Sequence, residues 1–121
     1  MYHHDWLMRQ INTMIQLLGR ILFKKDNVKF SIQDESKSTE IHLLYETLMG
    51  LINEHKINDA EDLLFENIDV NDLIYMKVAM DFYDRINRLG DDELENADFS
   101  RDEIRSGLED AMNLYSIRIT I

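Results

Sequence analysis

Histidine and carboxylate clusters are where chemistry would start in this chain, and each can be weighed by spacing. His3, His4 and Asp5 could grip a transition metal, but an exposed N-terminus followed by a helix cap accounts for the same residues. His42 and His55 stand 13 residues apart, which matches no metal-ligand spacing, and the His-Glu-x-x-His run of zinc proteases is absent. Asp81 and Asp84 lie three apart and would share one side of a helix, where Asp91, Asp92 or Glu93 might join them. Paired carboxylates on facing helices build the Mg²⁺ sites of helical-bundle nucleotide hydrolases. Here Lys77, Arg85 and Arg88 sit close by, and salt-bridged surface is the simpler reading. A serine–histidine–aspartate relay cannot be inferred from residue types this common. No glycine-rich phosphate loop exists, because the four glycines are isolated. The chain is therefore read as non-enzymatic, with no catalytic residue, no metal ligand and no cofactor. A Mg²⁺-dependent hydrolase using Asp81 and Asp84 is the alternative.

Composition narrows the class further. A chain of 121 residues suggests one domain, and it can bury roughly two thirds of its unfolded surface without a disulfide or metal. There is no proline and no cysteine. The first favours long helices over many-stranded sheets; the second removes thiol catalysis and fits a reducing cytoplasm. Asp5, Arg9 and Arg20 interrupt any secretory signal, and no apolar run approaches the ~20 residues of a membrane span. A soluble, cytoplasmic protein is expected.

The net charge of −11 is unevenly spread: residues 1–30 carry +3 and the remaining 91 carry −14. Nonspecific nucleic-acid binding needs the opposite sign. A basic protein or peptide partner is expected, with no nucleic acid and no membrane.

Hydrophobic periodicity then places the elements. Leu7, Ile11, Met14, Leu18, Ile21 and Leu22 form one stripe of a helix over 5–25, with Arg9, Thr13, Gln16, Arg20 and Lys24 opposite. Residues 26–37 read as a loop in which Val28, Phe30 and Ile32 alternate. A second helix from Ser38 or Thr39 to about His55 turns Ile41, Leu44, Tyr45, Leu48, Leu51 and Ile52 inward. Asn58 is read as the cap of a third helix ending near Asn67, and Asn71 as the cap of a fourth ending before Gly90, a left-handed C′ residue. That fourth helix is apolar around most of its circumference, so it is placed centrally. Asp91 to Ala97 suggests one short helical turn. Ser100 with Glu103 forms a capping box opening a last helix to about Tyr115. Ile117, Ile119 and Ile121 suggest an extended tail.

Ile57, Ala60 and Leu64 recur as Ile104, Gly107 and Ala111 at the same offsets, each set beside an acidic pair, Glu61–Asp62 and Glu109–Asp110. The expected fold is all-α, with five to six helices in a single domain over 1–121. Residues 1–25 would cap two helical hairpins, 38–67 and 71–116, arranged in tetratricopeptide (TPR-like) fashion or as an irregular bundle. In the hairpin reading the helix over 38–55 and the fourth helix line a concave face. His42, Tyr45, Met49 and Asn53 then become the partner-binding residues, with ordinary helix surface as the competing reading. Most of the seven methionines fall at core spacing; Met49 falls beside the stripe. A homodimer through the first helix or the isoleucine-rich tail is a further possibility.

The runs Asp5-Trp-Leu-Met-Arg-Gln-Ile11, Leu22-Phe-Lys-Lys-Asp26 and Arg105-Ser-Gly-Leu-Glu-Asp-Ala111 resemble a family of short, uncharacterised proteins of Gram-positive bacteria. The resemblance implies an all-helical, TPR-like domain of unknown function and supplies no active-site residues.

Overall fold

The structure is a computed structural model that describes residues 2–23 and 39–118. The alternating Val28, Phe30 and Ile32, and the terminal Ile119 and Ile121, lie outside the described residues, as do the side chains of His3 and His4. The fold is all-α, with six helices and no strand among the described residues: α1 (Tyr2–Phe23), α2 (Thr39–Asn53), α3 (Ile57–Asn67), α4 (Leu73–Asn87), α5 (Asp91–Asn96) and α6 (Arg101–Leu114).

α4 is the hub and packs against α1, α2 and α6. From Met76 to Asp84 every residue is buried, which is why its sequence is apolar on nearly all sides. α1 lays Leu7, Ile11, Met14, Ile15 and Leu18 onto α4 and α6. Ile21, expected on this stripe, is 62% exposed, and Ile15 takes the inward place. The buried set runs at i, i+4, i+7, i+8 and i+11; Ile21 keeps nearly the angular position of Met14 but lies two residues from the end of α1. α2 buries Ile41, Leu44, Leu48 and Ile52 and pairs with α3, whose Ile57, Ala60 and Leu64 are fully buried.

The helix ends depart from three sequence expectations. α3 begins at Ile57 with Lys56 as its N-cap, not Asn58. Lys56 donates its N–H to Leu51 O (2.9 Å), closing α2, while its own carbonyl accepts from Ala60 N to open α3. That shared residue makes the turn too tight for Asn58 to cap, and Asn58 Nδ2 instead donates to Asp98 O. Asp72, not Asn71, caps α4 by accepting from Ile74 N at 3.1 Å. Gly90 is not left-handed: at φ −69° and ψ 161° it is the extended N-cap of α5, and its N–H donates to Glu93 Oε1. The left-handed closures fall on His55, Asp98 and Ser116, with φ of 62°, 53° and 57°. In each case the next residue's N–H reaches back five positions, to Leu51, Leu94 and Met112. The Ser100–Glu103 capping box forms as expected, with Ser100 Oγ accepting from Glu103 N at 3.1 Å and Glu103 Oε1 accepting from Ser100 N at 3.0 Å.

The carbonyls left open at the end of α4 are closed by a side chain. Arg101 is buried and donates from Nη1 to Asn87 O and from Nη2 to Leu89 O, each at 2.7 Å. Asn87 Nδ2 in turn donates to Met8 O, so one polar chain ties α1, α4 and the start of α6 together.

Candidate peptide-docking site

α6 turns Ile104, Gly107, Leu108, Ala111 and Met112 into the core and leaves Glu103, Ser106, Asp110 and Asn113 in one row toward solvent. Three depressions follow that row. The first, about 290 Å³, lies between α5 and the start of α6 over Leu94 and Phe99. The second, about 270 Å³, lies between α3 and α6 over Phe65 and Gly107. The third, about 330 Å³, lies between the end of α6 and Met14 of α1. Glu103 lines both the first and the second, while Ser106 and Asp110 line both the second and the third. The depressions thus adjoin one another at these shared residues and form an interrupted trough along α6, over roughly 20 Å for a helix of this length.

The trough is acidic throughout. Asp91, Glu95, Asp98 and Glu103 edge the first section, Glu61, Asp62 and Asp110 the second, and Glu109 the third. Among the described residues its two lining cations are Arg101, already committed to the end of α4, and Arg118 at the far end. Arg105, next to the row, is directed to α1, where its Nη1 donates to Gln10 Oε1 at 3.0 Å.

The centre of the trough is built with least tolerance. The buried Tyr83 of α4 donates its hydroxyl proton to Glu61 Oε2 at 2.6 Å. Gly107 makes room for this pair: a Cβ there would stand 2.7 Å from Tyr83 Cζ and closer still to the two bonded oxygens. Burial pushes the Glu61 carboxyl above its ordinary range; the bond from Tyr83 opposes this, and the charges of Glu103, Asp62 and Asp110 reinforce it. The Tyr83 hydroxyl is itself pushed up, first by burial and then by Glu61.

The residues expected to bind a partner sit elsewhere. Tyr45 packs on α4, its ring 5.6 Å from the Arg85 guanidinium, and burial with the nearby Asp81 pushes its hydroxyl up to about 12. His42 and Met49 are half-buried on the same side of α2, and Met49 rests against the core. Asn53 is exposed at the end of the helix. The structure therefore brings Tyr45 into a row of α4 charges and does not gather the four around an open cavity.

In that row Asp81 Oδ2 accepts from Arg85 Nε at 2.9 Å, and Asp84 Oδ2 faces Arg88 Nη2 at 3.2 Å. Lys77 Nζ lies 5.7 Å over the Phe23 ring. Asp91 faces Arg101. Among the described residues no group of three or more histidine or carboxylate side chains is arranged to hold a metal ion.

Sequence reasoning did not single out Glu103, Ser106 or Asp110 as a binding row. Its available signal was the matched pair of acidic dipeptides beside Ala60 and Gly107, which marked α3 and α6 as similar without showing that their acidic faces border one cleft.

These features define a small all-α protein with an acidic trough laid along one helix. The chain belongs to a family of unknown function, DUF6483, whose model matches residues 1–116, in line with the resemblance to an uncharacterised family. No curated protein and no solved structure matches the chain. None of the described helices is long and apolar enough to cross a membrane.

Proposed function

We propose that this protein is a non-enzymatic interaction module that holds a basic segment of a protein partner in the trough along α6. The observation that carries this reading is the adjacency of the three depressions, which share Glu103, Ser106 and Asp110, with carboxylates on every section and the apolar residues Leu94, Phe99, Phe65 and Met14 among their lining. Lysine or arginine side chains would meet the carboxylates, and intervening apolar side chains would meet the apolar lining. Burial of Ala60 and Gly107 at matched positions of α3 and α6 supports a TPR-like reading, in which α2 with α3 and α4 with α6 are two helical hairpins. A chain without cysteine suits a cytoplasmic setting.

The test is fluorescence anisotropy with labelled synthetic peptides. One alternates lysine or arginine with leucine, and the other replaces each cation by glutamate. The basic peptide should bind saturably, weaken several-fold between 50 and 500 mM salt (about 14 to 4 Å of Debye screening), and lose at least tenfold affinity in the Asp62→Lys, Asp110→Lys double variant. Equal binding of both peptides, or an unchanged affinity in the double variant, would sink the proposal.

A further inference from the structure

A second surface lies on the opposite side of α2 from Tyr45. Leu43, Leu44 and Thr47 of α2, Leu63 of α3 and Tyr75 of α4 surround a depression of about 460 Å³. Leu43 is 58% exposed, and the adjacent connector and first turn of α4 expose Val70 and Leu73. Of the exposed large apolar side chains among the described residues, Leu43 lines the depression, and Val70 and Leu73 lie in the chain between its lining residues Asn67 and Tyr75. Its rim is acidic. Glu40 lines it, and Glu40, Asp72 and Asp69 all stand near enough to Tyr75 to add to the effect of burial in pushing its hydroxyl up. Among the described residues no lysine or arginine lines it.

The complementary surface is on the same chain. α1 exposes Trp6 and Ile21, two more of those apolar side chains. Trp6, Arg9, Thr13, Gln16 and Arg20 are all exposed and fall on one side of the helix. α1 is the one described helix with more basic than acidic residues. Its other side is committed to α4 and α6 within its own chain. The outward face of α1 therefore cannot turn to the α2–α3 groove of the same molecule.

We infer that the groove between α2 and α3 receives the outward, basic face of α1 from a second copy of this chain, with Trp6 or Ile21 set against Leu43 and the arginines against the acidic rim. The contact joins two different patches, so two copies close it reciprocally or several copies chain. It uses neither the trough nor its carboxylates.

Sedimentation velocity on the full chain, from 1 to 200 µM at 50 mM and 500 mM salt, tests this. Association should rise with concentration and weaken at high salt. Leu43→Glu alone, and Arg9→Glu with Arg20→Glu, should each give monomer; all three side chains are exposed, so circular dichroism should show unchanged helix content. Each variant keeps the patch the other lacks, so an equimolar mixture should recover a one-to-one complex. A wild-type monomer throughout the range, variants that associate like wild type, or a mixture that stays monomeric would each overturn the inference. Asp62→Lys with Asp110→Lys should leave this association unchanged, which separates it from peptide binding in the trough.

Discussion

Gly107→Ala should destabilise the protein, while Gly50→Ala should stabilise it. Both glycines lie inside helices, so alanine gains about 1 kcal/mol of helix propensity at either site. At Gly50 in α2 an added Cβ would meet nothing within 4 Å, so the full gain should appear. At Gly107 the same methyl would stand 2.7 Å from Tyr83 Cζ and closer to Tyr83 Oη and Glu61 Oε2. Tyr83 is fully buried and packs edge-on against Phe82, with ring centroids 5.0 Å apart, so its ring cannot retreat cheaply. Overpacking of this kind costs about 1–3 kcal/mol. Loss of the hydroxyl–carboxylate bond adds about 1.5–3 kcal/mol where the partners are driven apart. After the propensity gain, the net loss is about 1.5–5 kcal/mol.

Thermal denaturation followed by circular dichroism should show Gly107→Ala falling by roughly 5–30 °C and Gly50→Ala rising by roughly 3–6 °C. A cycle with Tyr83→Phe isolates the cause. Without the hydroxyl, part of the clash is gone, and the penalty of Gly107→Ala should shrink by about 1 kcal/mol or more. Two alanine variants that shift in the same direction would refute the argument. So would a Gly107→Ala penalty that is unchanged beside Tyr83→Phe.

Arg101→Met should cost about 2–4 kcal/mol in denaturant unfolding, because it strips the buried Asn87 carbonyl and the half-buried Leu89 carbonyl of their donors; Asp91→Asn should cost far less, since Asp91 is mostly exposed. Tyr45 and Tyr115 are held up to about 12, burial being the first cause for both. Their raised native values mean that neutral tyrosine favours the fold fully below the unfolded value of 10.0, and that this is lost as pH rises through about 12. Absorbance at 295 nm should show far fewer tyrosinates at pH 10.5 in the native protein than in urea, and equal counts would contradict the burial. Glu61 is also raised, so its protonated form favours the fold: that stability is full below the unfolded 4.5 and fades as pH rises through the native value. Glu61→Gln should therefore flatten the dependence of unfolding free energy on pH just above 4.5, and an identical slope would count against the desolvation argument.

Much of the helical layout is legible in local pattern because burial is one-sided. The spacing of Leu44, Leu48 and Ile52 and the Ser100–Glu103 pair needed no tertiary information. The apolar girth of α4 pointed to a covered position, and the helix is covered. The failures lie where tertiary contacts compete with local preference. Gly90 looked like a left-handed stop, but the Arg101 side chain supplies the donors that such a turn would have provided. Asn58 and Asn71 are good caps in isolation, yet a shared Lys56 and a neighbouring Asp72 take those roles. Ile21 lies on its stripe and Leu43 off its own, and only the packed structure shows both facing water. The trough was half visible: the acidic faces of α3 and α6 could be read one by one, but not their shared cleft.

Solubility alone is a poor reason for the charge at the centre of that cleft. A carboxylate kept for solubility works best fully exposed, whereas Glu61 is partly buried, bonded to a buried tyrosine and crowded by Glu103, Asp62 and Asp110. Burial is the first cause of its raised pKa, and the uncompensated negative charges of Glu103, Asp62 and Asp110 add to it. A bound cation would relieve it, and would lower the Glu61 pKa toward or below the ordinary range. The consequence is linked proton release. Below the raised native value a fraction of Glu61 is protonated in the free protein, and binding a basic peptide in the trough should expel that proton. Calorimetry near pH 5 in two buffers of different ionisation enthalpy would measure it as a buffer-dependent binding heat. The dependence should fade as pH rises through the native value of Glu61 and should be largely lost in Glu61→Gln. A basic peptide that binds with no proton release at pH 5 lies away from Glu61, and the α3–α6 section of the trough would then have no part in recognition.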